Sequence, residues 1–378
     1  MRNKRLMYVI FIFLFSLCMN GSVSANTVEE IKIDNVNFPD AIFRKRIIYY
    51  DTDKNGYLSS DELTKITSIY FDGGDSNLER NIASLKGIEY LTDLKAIHLH
   101  ETNITNLDLS RNSKLTRVSI LNPNTEELTL PKDSKITEIR ISNYKPNKLY
   151  VGMLSELKKL QLVNCMNITV LDVTNNNKIK SINISGDTTT KDKLRQINIG
   201  KKEQLKYLSL NKLASLRKIS IGKTPVLDGV HITNCRKLKS INTTKMPKLR
   251  KLNVERCILK SLNITKNTKL QTLNCSNNKL TKLNVRKNKL LKILKCNDNK
   301  IKSLKLNKNK KLVNLNCKNN NIKYLNICNI RLRNIRCDKK VMISDVTHFS
   351  VYGIGYKSPA AKDSEQKPTV SGNTVNKQ

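Results

Sequence analysis

The feature that most restricts the fold of this chain is an interval. The step from Cys275 to Cys296 equals the step from Cys296 to Cys317, and Asn278, Asn299 and Asn320 keep the same spacing. Around them the apolar residues come as Leu-x-apolar triplets, such as Leu273-Asn-Cys275, Leu283-Asn-Val285 and Leu294-Lys-Cys296, two to each interval and dividing it almost in half. Neither a long amphipathic helix nor a meander of hairpins repeats in this way, so the chain must coil, each coil burying its apolar face against the next. In each triplet the outer two side chains point inward from a short extended segment and the middle one points outward.

The pattern extends well beyond those copies. First-triplet anchors run through Phe71, Leu99, Ile120, Ile141, Leu162, Ile184, Leu210, Ile232, Val254, Cys275, Cys296, Cys317 and Cys337. The step between anchors is nearly constant except from Phe71 to Leu99 and from Ile184 to Leu210, where insertions near Gly73 and after Gly186 predict loops at one edge. Thirteen anchors at the strand spacing of a sheet predict a parallel array roughly 58 Å long. Second-triplet anchors follow at Leu109, Leu130, Val151, Val173, Ile199, Ile221, Thr243, Ile264, Val285, Leu306 and Ile327. The Asn three positions after a first triplet suits a tight corner, because it tolerates a left-handed backbone and its amide bonds exposed backbone groups. This spelling resembles the leucine-rich repeat. The fold class it implies is an α/β repeat, a leucine-rich repeat solenoid with a parallel β-sheet over residues 66–337.

Before the repeats, residues 38–50 read as a helix with Pro39 at its start, followed by Asp51-Thr-Asp53-Lys-Asn55-Gly56-Tyr57-Leu58-Ser59-Ser-Asp-Glu62. This resembles an EF-hand loop. It offers a calcium ion carboxylates at Asp51 and Asp53, the Asn55 amide oxygen, the Tyr57 carbonyl, a water held by Ser59 and a bidentate Glu62, with Gly56 for the sharp turn. A second helix is expected from Ser59 towards Ile66. The whole segment, residues 26–65, reads as a small helical cap that calcium makes rigid. With one such loop, the paired arrangement of calcium sensors is missing.

Formal net charge is +38, which directs attention to polyanions and says nothing of fold. Two positions after consecutive second-triplet anchors stand Lys201, Lys223, Lys245, Lys266, Lys287 and Lys308. Neighbouring ammonium groups about 5 Å apart in water repel by only about 0.8 kcal/mol before screening, so such a ladder is tolerable as a solvated face. The sharper reading is a contact for a linear phosphate polymer of the envelope, or incidentally nucleic acid.

Residues 1–25 read as a secretory signal: Arg2, Lys4 and Arg5, an apolar run from Leu6 to Met19, then Val23-Ser24-Ala25. The run is short for a membrane span and no second one follows. Export usually turns cysteines towards disulfides, yet Cys275, Cys296, Cys317 and Cys337 fall in inward slots and Cys165, Cys235 and Cys257 in the slot held elsewhere by Asn. They read as buried small side chains, with Cys328 alone facing outward. His98 and His100, beside Glu101 and across from Asp72, share one outward strand face. A zinc or hydrolytic site there is the one catalytic option the sequence offers.

After Cys337 the register is lost. Residues 338–356 alternate enough for a short β cap, and 357–378 read as a disordered tail. Export signal, calcium-type cap and repeats together resemble the internalin-like leucine-rich repeat proteins of bacteria over residues 26–356. The resemblance implies a secreted or surface-held adhesion protein, not an enzyme, whose sheet engages a host or bacterial protein. A second Leu-x-apolar triplet in place of the usual internalin convex text, and the lack of a Leu-Pro-x-Thr-Gly sorting signal, depart from it. The outward residues Lys251, Asn253, Asn274, Lys295 and Asn316 are polar and poor in aromatics. The competing class is an envelope structural protein bound to anionic wall polymers through the lysine ladder.

Overall fold

The computed structural model describes residues 30–344, apart from 74–78, 122–124, 133, 166 and 188–191. The predicted export signal and tail therefore lie outside the described residues, as does most of the predicted C-terminal cap. A short strand, β1 (Ile31–Lys32), precedes helix α1 (Ala41–Ile48), strand β2 (Tyr57–Leu58) and helix α2 (Ser60–Lys65). Thirteen parallel strands then form one sheet in chain order, from β3 (Ser68–Asp72) and β4 (Ala96–His100) to Asn334–Arg336. Registers are set by the triplets: Leu273 lies opposite Leu252 on one side and Leu294 on the other.

All thirteen first-triplet anchors are buried, and so are the eleven second-triplet anchors, Thr243 included. Second triplets pair in shorter parallel runs, such as Val170–Asp172 beside Gln196–Gly200 and that beside Lys218–Ile221. Each coil thus has two inward faces, and the core is a continuous file of Leu, Ile, Val and Cys along the axis. The long step from Phe71 to Leu99 is more than a loop. It carries short 3-10 turns at Glu79–Asn81 and Ile88–Tyr90 and buries Ile82, Leu85, Ile88, Leu91 and Leu94. The loop expected after Gly186 falls largely outside the described residues.

At the far end the register continues past Cys337. Met342–Ser344 pairs with Tyr324–Asn326, Ile343 opposite Leu325, and both Val341 and Ile343 are buried. The step from Leu325 to Ile343 is shorter than the one from Leu304 to Leu325, which hides this extra triplet from a search at constant period.

The corners differ from expectation by one position. Positive φ falls on Asn277, Asp298 and Asn319, two positions after each anchor, not on the Asn that follows. That next Asn is buried and reaches across to the preceding coil: Asn299 Nδ2 donates to Cys275 O at 3.0 Å and Cys296 O at 3.1 Å, while its Oδ1 accepts from Leu280 N at 3.0 Å. Asn278 and Asn320 repeat the arrangement. A side chain at the left-handed residue would project away from those carbonyls, so turn and cap are divided between neighbours.

Where Cys replaces Asn in this slot, the thiol takes over part of the role. Cys235 Sγ donates to Leu210 O and Cys257 Sγ to Ile232 O, each the anchor carbonyl of the preceding coil. Cys165 does likewise towards Ile141 O, although it is half-buried and not fully enclosed as its slot predicts. Burial pushes the Cys275 thiol up to about 12 and raises Cys296 and Cys317 as well, so these thiols stay protonated and unreactive. A second buried ladder, unseen in the sequence, follows the second triplets. Asn267, Asn288 and Asn309 each donate to two backbone carbonyls of the preceding coil, as Asn288 does to Ile264 O and Asn267 O. Lys202 stands in the same slot, fully buried, its ammonium donating to Thr174 O at 2.8 Å.

Candidate functional site

Helix α1 begins at Ala41, with Asp40 as its N-cap accepting from Ile42 N and Phe43 N. Pro39 therefore lies just outside the helix that the sequence would have it start. The second oxygen of Asp40 accepts from Ala83 N and Ser84 N, tying the cap to the first coil. Phe38, Phe43 and Phe71 pack edge to face, at 5.8 Å and 6.4 Å between ring centroids, so the helix packs against the first strand of the sheet.

The loop between the helices turns at Gly56, where the sequence has its glycine. Gly56 has φ +81°, and its N–H donates to Asp51 Oδ2 at 2.9 Å, while Asn55 N donates to both Asp51 and Asp53. Glu62 is buried, and both its oxygens are fixed. Oε1 accepts from Thr52 N and Oγ1, and Oε2 accepts from Ser59 N and Oγ. The Ser59 N–H foremost, with the Thr52 donors, lowers the Glu62 carboxyl from 4.5 to about 2, so it is ionised. Ser59 caps α2 in a reciprocal box with Glu62, and its hydroxyl is thereby engaged.

One carboxylate oxygen from each of Asp51, Asp53 and Glu62 lies within 4.8 Å of the other two, and no cation pairs with them among the described residues. Three converging carboxylates, with the Asn55 amide in the same loop, are the donor set a hard divalent cation takes. The residues fit calcium. The strand partner of the loop is β1, whose Ile31 pairs antiparallel with Leu58. A strand so short shows no periodicity by which to find it.

On the sheet, Tyr70, His98 and Ser119 stand side by side on consecutive strands. The Tyr70 and His98 rings stack at 4.6 Å and 10°, His98 Nδ1 lies 3.0 Å from Ser119 Oγ, and His100 Nδ1 lies 2.8 Å from Asp72 Oδ1. Burial holds His98 below its ordinary range, with Asp72 working the other way. Among the described residues only Asp51, Asp53 and Glu62 form a set of three close metal-ligating groups, so the zinc reading of His98 and His100 lacks a third ligand. What the geometry offers there is an aromatic patch. Tyr70 is 52% exposed, and Tyr207 on the same sheet is 55% exposed. Sequence reasoning pairs Asp72 with His100 but misses both tyrosines, since the triplet pattern marks which residues point inward and leaves the outward ones unranked.

The lysines Lys201, Lys223, Lys245, Lys266, Lys287 and Lys308 are all exposed, in file, and of these Lys201 pairs with Glu203. Cys328 is half-buried, and its sulfur accepts from Asn329 Nδ2. Among the described residues no helix is long and apolar enough to cross a membrane.

No protein-family model matches the sequence, and no curated protein matches it. Among solved structures the chain is similar to the functional domain of InlJ from Listeria monocytogenes, described as including a cysteine ladder, at 22% identity and a TM-score of 0.53. The match covers 84% of this chain and 64% of that one, so the chain spans less than two thirds of the InlJ domain. An internalin, InlF, from the same organism matches at 20% identity and a TM-score of 0.48, covering 88% of this chain and 98% of that one. A Leptospira interrogans leucine-rich repeat protein matches at 16% identity and a TM-score of 0.42, over 75% and 84% of the two chains. Coil, sheet and core arrangement agree with the likeness to InlJ: the chain has an internalin-like leucine-rich repeat fold.

Proposed function

We propose that this chain is an exported bacterial binding protein, held at the cell surface or released, that engages a protein partner across the outward face of its thirteen-stranded sheet. One observation carries this reading above the others. The sheet presents an extended polar face interrupted by exposed aromatics, Tyr70 stacked on His98 and Tyr207 further along, and aromatics of this kind anchor protein interfaces. The internalin-like fold supports it, since leucine-rich repeat solenoids offer long surfaces for macromolecular contact. In the same reading, calcium binds through Asp51, Asp53, Asn55, Tyr57, Ser59 and Glu62 and braces the cap against the first coil.

The test is capture of surface proteins by the immobilised chain, then binding of each purified candidate at low and high salt. A partner that stays bound at high salt and is lost with Tyr70→Ala or Tyr207→Ala supports the sheet face. Binding only at low salt, unchanged by both substitutions, contradicts it.

A further inference from the structure

Away from the sheet, on the side of the second triplets, three consecutive coils enclose a groove. Two contiguous cavities of about 780 and 640 Å³ share Arg286, Lys302, Ser303 and Lys305 in their walls. The cationic lining is Lys282, Arg286, Lys302, Lys305 and Lys323; no carboxylate lines either cavity, and the remaining polar wall is Asn, Ser and Thr. Among the described residues none of these five cations has a carboxylate within ion-pairing distance, whereas ion pairs are frequent nearer the N-terminus. The sequence explains the contrast: from Arg256 to Arg336 there are twenty-two lysines and arginines against a single carboxylate, Asp298. Asp298 is bonded by the Asn297 and Asn319 amides at a corner following the sheet strand.

We infer that this groove binds a linear polyol-phosphate chain, a surface distinct from the sheet face and independent of the reading given above. Lys302 and Lys323 hold the same position in successive coils, two before the inward Leu304 and Leu325. Exposed Lys260, Lys239, Arg217 and Arg195 continue that file along the solenoid, with Thr281 the one neutral step. Cations recurring with the coil spacing match an anion whose charges recur along a chain, and Lys is a point-charge ligand for phosphate. Asn and Ser between them suit the hydroxyls of a polyol. Nucleic acid is disfavoured because single strands are held by aromatics on which successive bases stack, and Tyr324 is the sole aromatic in the groove. The six-lysine file read from the sequence lines neither cavity, so the groove is a separate basic surface.

The experiment measures binding of a purified polyglycerol phosphate, and of a single-stranded oligonucleotide of equal charge, to the full chain over a range of salt. The expected result is tighter binding of the polyol phosphate. Combining Lys302→Glu, Lys305→Glu and Lys323→Glu should weaken it more than tenfold, and the corresponding Gln variant, less disturbing to the fold, should flatten the salt dependence by about one unit of slope per lysine. Lys201→Glu, Lys223→Glu and Lys245→Glu, reversing the same number of charges elsewhere, should change it by less than threefold. Equal losses from both sets, tighter binding of the oligonucleotide, or no binding of the polyol phosphate would overturn the inference.

Discussion

Asn299 shows how much of this architecture depends on a single amide. It bonds the anchor carbonyls of two coils and the N–H of Leu280, so Asn299→Ala leaves buried backbone groups unpaired. The expected cost is about 2–4 kcal/mol, seen as a lowered denaturation midpoint. Asn299→Cys should recover part of it, because Cys235 and Cys257 already serve the equivalent carbonyl in earlier coils. Equal losses for Ala and Cys would show that the thiol contacts contribute nothing. Asn in this slot was legible from spacing; its division of labour with the left-handed residue before it was not, because both positions are often Asn. Glu62 offers a second test. Its carboxyl is lowered in the folded state, so the stability it contributes is complete above its unfolded value of 4.5 and is lost as pH falls towards about 2. Acid melting of the wild type should show that loss, and Glu62→Gln should remove its contribution to the slope.

Among the elements, the cap is where sequence and structure inform each other most. The loop could be read from its carboxylates and Gly56, because calcium chemistry fixes residue types at fixed offsets. Its short strand partner β1, and the attachment of Asp40 to the Ala83 and Ser84 amides, join residues far apart in the chain, which no local spacing encodes. The strand ties the loop to the segment before α1, and Asp40 ties that helix to the first coil, so calcium should stabilise more than the loop itself. At a calcium concentration about a hundred times the dissociation constant the gain is about 2.7 kcal/mol. A thermal melt with calcium against chelator should shift upward for the wild type and stay fixed for Glu62→Gln. A wild-type melt indifferent to calcium would remove the ion from the account. The inward positions of the sheet, by contrast, were legible, since all thirteen anchors are buried and, apart from two longer steps, they recur at a nearly constant interval. The same register pairs Asp72 with His100, as the sequence has it, and two residues back pairs Tyr70 with His98; that two such rings stack face to face is a matter of side-chain rotamer, which spacing does not encode.

Across the whole molecule, the repeated side chains lie one above another inside a stack of coils. The charge asymmetry stands in the linear sequence, but the basic groove does not follow from the repeat alone; it appears only when coils of different polar text are laid side by side. The stack itself makes a sharp statement about cysteines. Cys275, Cys296, Cys317 and Cys337 are buried in one file, whereas Cys328, close to the last of them in sequence, is half-exposed. Alkylation of the native protein, read by peptide mass spectrometry, should modify Cys328 first and leave Cys275, Cys296 and Cys317 protected together until denaturant unfolds the coils. Modification of those three at the rate of Cys328 under native conditions would contradict the stacked core.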